Sequence, residues 1–348
     1  MTPRILRTFS GYRRRARGRE RTVILCGGMD VLVTGATGAI GTDLVPALAS
    51  GGHRVRAFAR DPARAAAGGV SAVVRGDAVT GTGLAEAMRG VDVAYFLIHS
   101  METAAAPLVD GRGAAPGSQG RDFAGRDRRA AANFARAAAE AGVRRVVYLG
   151  GLVPAGAQPS PHLASRLEVE DVLLRCAPEA VALRASIVIG ARSRSFRFLV
   201  RLVERVPVMA LPDWRGNRTR PIDARDVTAH LVAAGTSPAV GGALSLDIAG
   251  PETMTYAVML ERIRDLMLLA RPRIDLPLRL TAVASRVAAA IAGEDPALIA
   301  PLMGSLGTDL LPRDERAAQL FGVRLHRFDA AVEHALAEWE RTEQVSAR

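Results

Sequence analysis

Between residues 30 and 192 the chain switches repeatedly between two hydrophobic periods. Short runs rich in β-branched, aromatic and small apolar residues begin at Val31, His53, Ser71, Val91, Arg145 and Val181. Between them lie stretches whose apolar residues recur at three- and four-residue intervals, as one face of an α-helix requires. Ile40 to Ser50 is one such stretch, with Ile40, Leu44, Val45 and Leu48 on one side. Asp127 to Ala141 is another, with Ala130, Phe134, Ala137 and Ala138 inward. Shorter helical segments cover Gly83 to Arg89 and His162 to Cys176. Val91 to Ile98 is almost continuously apolar, which suits a central strand buried on both faces. Strands alternating with helices across short turns predict an α/β fold, a doubly wound parallel sheet.

The rhythm changes after Ser195. Phe196 to Val206 reads as an amphipathic helix, followed by the proline-marked stretch from Pro207 to Trp214. Pro221 to Asp226 leads into a helix that runs to Ala234. Leu244 to Ile248 reads as one more strand, Tyr256 to Leu269 as a helix, and Ala330 to Arg341 as a closing helix with Asp329 placed to cap it. Leu276 to Ala292 is apolar but broken by Arg279 and Arg286; it suits a substrate-lobe helix, with contact to a membrane surface as the alternative. Three parts are therefore expected: a basic extension over 1–28, a core over 29–192, and a smaller mixed C-terminal substrate lobe over 193–348 with elements returning to the core.

The first strand runs straight into Gly35, Gly38 and Gly41, and a helical pattern begins at once. In that strand–turn–helix context, glycines permit a tight turn, let the backbone approach a pyrophosphate, and bring helix close to strand. The amides at the helix N-terminus, backed by the helix dipole, then face phosphate. No Gly-Lys-Ser/Thr follows, which disfavours a P-loop triphosphatase. The sheet is thus expected to be of the Rossmann type. At the end of the second strand an acid would favour NAD, whereas an arginine suits the 2′-phosphate of NADP. Arg60 stands there with Arg64 nearby, so NADP(H) is preferred; Asp61 keeps NAD(H) in play.

Charge adds less than its size suggests. The net charge is +11, but eight arginines against Glu20 place +7 of it within residues 1–28. All 46 basic residues are arginine, a bias that fits GC-rich coding better than a selected phosphate-binding surface, so no nucleic-acid partner is expected. The basic extension admits three readings: an arm touching acidic lipid or nucleic acid, a targeting segment, or translation from a mis-set start. The last is favoured, because Met29 directly precedes Asp30 and the first strand, and Thr22–Cys26 is too short for a signal-peptide core. Cys26 and Cys176 offer neither a disulfide framework nor metal-ligand spacing, which fits a cytoplasmic protein without a metal. No stretch approaches the roughly 18 uninterrupted apolar residues of a membrane span. Oligomeric state is open.

Ligands of open α/β sheets bind at the carboxyl ends of the strands. His99, Ser100 and Met101 emerge there, and residues 102–125, rich in Gly, Ala and Pro, form a long loop suited to a lid or a simple insertion. With these come Thr34-Gly-Ala-Thr-Gly-Ala-Ile-Gly41, Arg60-Asp61, Gly76-Asp77, Tyr148-Leu-Gly-Gly-Leu152, His162-Leu-Ala-Ser-Arg166, Ser195-Phe196 and Pro221-Ile-Asp-Ala-Arg-Asp-Val227. Together they resemble the atypical short-chain dehydrogenase/reductase superfamily over roughly residues 29–340. The closest likeness is to its NmrA-like and epimerase/dehydratase-related NAD(P)H-binding branch. The resemblance implies cofactor contacts from Thr34, Gly35, Thr37, Gly38, Ala39, Ile40, Gly41, Arg60, Asp77 and Arg166.

The departures matter as much. Catalytic members of that superfamily carry Tyr-x-x-x-Lys on the helix after the fifth strand, and the tyrosine transfers a proton while nicotinamide transfers hydride. Here the matching positions hold His162 and Arg166, and the usual Ser/Thr after the strand is replaced by Gly150-Gly151. Tyr148 lies inside the strand and reads as packing. His162 is expected as acid/base, Arg166 as the orienting cation, and His99 and Ser100 near an unknown small-molecule substrate. An NADP-dependent oxidoreductase or epimerase-like enzyme is the favoured function. The alternative is a non-catalytic NADP(H)-binding redox sensor or assembly factor, as among NmrA-like relatives.

Overall fold

The structure, a computed structural model, describes residues 28–66, 68–99, 123–156, 158–276, 304 and 306–343. The basic extension, Ser100 and Met101, most of the expected 102–125 loop, and the apolar stretch from 277 to 292 lie outside the described residues.

The N-terminal half alternates as its pattern requires: β1 (Asp30–Thr34), α1 (Gly41–Ser50), β2 (Arg54–Ala59), α2 (Pro62–Ala65), β3 (Val70–Arg75), α3 (Leu84–Met88), β4 (Val93–Phe96), α4 (Phe123–Glu140), β5 (Arg145–Gly151), α5 (Pro161–Leu173) and β6 (Glu179–Ala185). Four short strands follow: β7 (Val188–Ile189), β8 (Met209–Leu211), β9 (Arg218–Thr219) and β10 (Ile222–Asp223). They are interleaved with α6 (Arg194–Arg205), and then come α7 (Ala224–Thr236) and β11 (Ala243–Ile248). The chain closes through α8 (Tyr256–Leu266), α9 (Arg316–Phe321) and α10 (Phe328–Glu340).

Seven strands form one parallel sheet in the order β11-β6-β5-β4-β1-β2-β3. This is the Rossmann-type doubly wound fold expected from the pattern. Strand order reverses between β1 and β4, and a crevice opens at the carboxyl ends of such a pair. On one face Leu44, Val45 and Leu48 of α1 pack with Leu231 of α7 over Val33, Val55 and Val93. On the other, Ala130 and Phe134 of α4 cover Phe96 and Tyr148. Phe96 and Phe134 meet edge to face, with ring centroids 5.0 Å apart. A further core joins Phe196 and Val200 of α6 to Leu260 of α8 and to Leu336 and Trp339 of α10.

Three boundaries differ from expectation. The sixth strand, expected from Val181 to Ile189, breaks at Ser186; Ile187 lies between β6 and β7, where its carbonyl accepts from the Ile222 amide. α4 begins at Phe123, inside the stretch expected as loop. Asp329 does not cap the last helix: the N-cap is Arg327, without a side-chain hydrogen bond, and Asp329 pairs instead with Arg262 at 2.7 Å. Among the described residues, no helix is long and apolar enough to cross a membrane.

Candidate functional site

The glycine turn sits at the end of β1. Gly35 has φ +77°, a conformation that favours glycine, and a Cβ there would meet the Leu97 carbonyl oxygen at 2.8 Å. Gly38 N donates to Gly35 O at 3.0 Å, closing the turn, and Thr42 Oγ1 donates back to Gly38 O at 3.1 Å. At Gly41 a Cβ would stand 2.2 Å from Gly35 O. Helix α1 starts without a side-chain cap, and the Thr42 and Asp43 amides donate to Gly38 O and Ile40 O at 3.1 and 3.2 Å, so the turn itself closes the first turn of the helix. A tight turn with no room for a Cβ at Gly35 or Gly41, leading into the N-terminus of a helix, fits a dinucleotide pyrophosphate.

Not every residue of the motif faces that space. Thr34 is fully buried and donates to Tyr95 O at 2.9 Å, so it lies beneath the turn and cannot touch a cofactor. Thr37 is exposed and stands outside the cleft lining. Asp77 also lies outside it: the carboxylate accepts from Val79 N at 2.7 Å and closes its own turn. Arg60 is exposed at the end of β2, with Arg64 on α2 nearby. Asp61 is the N-cap of α2 and accepts from Ala63 N at 3.1 Å.

A cleft of about 270 Å³ runs from Gly35, Gly38, Ala39, Ile40 and Gly41 past Leu97 and His99 to the C-terminal half. Helix α5 supplies His162 and Arg166, one turn apart. Ser160 starts the helix by accepting from Leu163 N at 3.4 Å, and Pro161 occupies its first turn. Farther along, Glu170 is gripped by buried Arg184 of β6 at 2.8 and 2.5 Å, which fixes α5 against the sheet.

The two histidines expected separately come together. The His99 and His162 rings stack with centroids 5.0 Å apart and planes 20° from parallel. Behind them lies buried Asp127 of α4, whose carboxylate oxygen is 3.6 Å from His99 Nδ1, an ion-pair distance beyond hydrogen-bond reach. Arg166 also lines the cleft. It donates to Leu149 O at 3.2 Å and lies 5.7 Å from the centre of the Tyr148 ring. Tyr148 is buried, as expected, and its hydroxyl donates to Arg166 O at 3.3 Å. The Gly150-Gly151 pair has a steric reason: a Cβ would lie 3.0 Å from Tyr148 Cε1 in one case and 3.1 Å from Leu163 Cδ2 in the other.

Burial governs the histidine charges. Desolvation, helped by the positive field of Arg166, holds His99 down to about 4. Desolvation and the neighbouring ring hold His162 down to about 3. Both are therefore neutral near pH 7. The unfolded chain would protonate them near the ordinary value of about 6.5, so between there and about 4 it binds more protons than the folded state. Stability should therefore be lost as the pH is lowered through that window, by up to about 1.4 kcal/mol per pH unit for each ring. Urea midpoints from neutral pH down to about 5 would show the slope. A His99→Asn/His162→Asn variant should lose the share these two rings supply and keep that of His53 and His230, whose pKa burial also lowers; an unchanged slope would mean that the His99 and His162 rings stay hydrated.

Sequence patterning did not single out Asp127, nor Phe198, Leu199, Tyr256, Leu306 and Leu310, which wall the far part of the cleft. Only the amphipathic pattern of α6 hinted at Phe198 and Leu199. Among the described residues, no group of three or more His, Cys, Asp or Glu is placed to hold a metal ion.

A sequence profile of the NAD(P)H-binding family matches residues 35–184, which span the turn, both histidines and β6. Over these residues the chain is similar to NAD(P)H-binding proteins, and its fold is the one that short-chain dehydrogenase/reductase structures share. Ceramide reductase from Caulobacter vibrioides (strain NA1000 / CB15N) is 30% identical over 213 residues, covering 61% of this chain and 62% of that protein. The chain thus matches somewhat less than two thirds of this relative's length. A short-chain dehydrogenase/reductase superfamily protein from Agrobacterium tumefaciens, solved with bound NAD, aligns with a TM-score of 0.64 at 20% identity, over 89% of this chain and 97% of that one. UDP-glucose 4-epimerase from Thermotoga maritima, solved with UDP-glucose, aligns with a TM-score of 0.66 at 12% identity, over 90% of this chain and 99% of that one. These solved structures share the fold; the matched family profile adds NAD(P)H binding.

Proposed function

We propose that this chain is an atypical short-chain dehydrogenase/reductase, an NADP(H)-dependent oxidoreductase that reduces the carbonyl of a small organic substrate. The observation carrying this reading is the stacked His99–His162 pair, set in the cleft beside Arg166 where superfamily enzymes place their proton-transfer groups. When bound, the cofactor supplies hydride. The chain's own residues supply the rest. Because both rings are neutral, each carries one N–H, and His162 can hydrogen-bond the substrate oxygen as negative charge develops there; the proton that completes the alcohol passes through that N–H, and the ring recovers one from solvent as product leaves. Arg166 sets a positive field where negative charge develops on that oxygen. His99 stacks against His162 and limits its rotation, and the apolar walls keep water away. The reductase name of the Caulobacter relative supports the direction of the reaction.

NADP is preferred to NAD because Arg60 and Arg64 are exposed at the end of β2 while Asp61 is occupied as a helix cap. Titration of NADPH and NADH by fluorescence or calorimetry tests this. Arg60→Ala should weaken NADPH about tenfold or more, as loss of a charge-assisted hydrogen bond would, and leave NADH unaffected. Equal weakening of both would refute the phosphate contact, and absence of saturable binding to either would refute the function. A second reading, an NADP(H)-binding sensor without turnover, draws on the Gly150-Gly151 pair, which leaves the β5 end without a substrate-facing hydroxyl. NADPH oxidation over a panel of aldehydes, ketones and enones separates the two.

A further inference from the structure

We infer that the substrate carries a hydrocarbon chain, held by apolar contact in the far part of the cleft and not by a phosphorylated handle. This rests on the oxidoreductase reading above. Beyond the histidines, the wall comes from three separated parts of the chain: Phe198 and Leu199 of α6, Tyr256 at the head of α8, and Leu306 with Leu310. All five are buried. Three separate parts of the chain thus bring four apolar side chains and the Tyr256 ring, with its buried hydroxyl, to one space next to the reacting end.

A sugar nucleotide such as UDP-glucose brings a diphosphate, whose charge needs cations or free amides. The described arginines flanking this half are committed elsewhere. Arg218 is paired with Asp309 at 2.7 Å, Arg220 with Glu315 at 2.6 Å, and Arg215 with Asp275 at 3.2 Å. Arg220 also donates to Gly250 O at 2.9 Å. Drawing any of them to a phosphate would first break that ion pair. Arg166 is tied to Leu149 O, and Arg194, the other cation of the lining, acts on His99 at the reacting end. The far half therefore offers an apolar surface and no phosphate clamp among the described residues. Burying a methylene there should raise affinity about fourfold.

The test uses the full chain saturated with NADPH. Straight-chain 1-alkanols of increasing length serve as dead-end ligands, titrated by the change in NADPH fluorescence, and aldehydes of the same lengths serve as substrates. Affinity should climb two- to fourfold per added carbon until the cavity is filled, and Leu306→Gln should flatten that climb. UDP-glucose should not compete at millimolar concentration. Affinity independent of chain length, or micromolar competition by UDP-glucose, would overturn the inference. The two readings fail separately. A chain-length-dependent affinity without turnover of any aldehyde keeps the apolar subsite and removes the oxidoreductase; turnover with flat affinity does the reverse.

Discussion

Gly41→Ala is expected to raise the NADPH dissociation constant at least 100-fold and to lower the melting temperature by about 1–4 °C. The added Cβ would sit 2.2 Å from Gly35 O and 2.7 Å from Ala36 Cα. Both are backbone atoms of the turn itself, so no side chain can swing aside; either α1 moves off the sheet or the turn opens. Overpacking of that kind costs about 1–3 kcal/mol of stability. The cofactor suffers more, because the amides that should face the pyrophosphate belong to the displaced segment. Gly142→Ala provides the contrast. Gly142 has φ +69° with nothing within 4 Å of its Cβ position, so alanine there meets backbone strain alone. That variant should lose about 1–2 kcal/mol of stability and bind NADPH as the wild type does. Paired titrations and thermal melts check both. Wild-type affinity in Gly41→Ala would mean that the turn does not hold the pyrophosphate.

The sequence revealed most where one physical demand acts locally. β5 was expected and found at Arg145–Gly151, because an apolar central strand can be read from its own residues. The glycine turn was legible because a positive φ and close backbone approach leave few alternatives to glycine. Thr34 and Asp77 show the limit of a motif. Each sits in the right string of residues, yet one hydroxyl is turned under the sheet to Tyr95 O and one carboxylate closes its own turn. Direction of a side chain is set by the pleat and by local hydrogen bonds, which spacing does not encode. Asp127 was hidden for a different reason: it was assigned correctly to a helix, but its proximity to His99 depends on how α4 lies across β4. The far wall of the cleft was hidden most deeply, since Phe198, Tyr256 and Leu306 are brought together only by tertiary packing.

The stack of His99 on His162 joins these two kinds of information. Sequence placed one ring at the end of β4 and the other on α5, at the position where tyrosine would stand. Packing then brought them to 5.0 Å. Stacking limits how far either ring can rotate, so the N–H that faces the cleft has a restricted direction. Asp127 lies close enough to His99 to bias which nitrogen carries its proton, although 3.6 Å leaves that bias weak.

His162→Ala should therefore lower kcat/KM for carbonyl reduction by about 100-fold or more, the scale of losing a positioned proton donor, while the NADPH dissociation constant stays within about twofold. His162→Gln retains an N–H donor and should recover part of the loss. The pH profile carries the sharper signature. Burial keeps His162 neutral down to about 3 and His99 to about 4, so wild-type kcat/KM should show no break near 6.5, where a hydrated histidine would titrate. A break near 6.5 that vanishes in His162→Ala would mean that an imidazolium is the acid and that the ring is hydrated in the working enzyme. Unchanged turnover in His162→Ala would remove His162 from the reaction altogether. The developing oxygen charge would then be left to Arg166, whose guanidinium donates to Leu149 O and lines the same cleft.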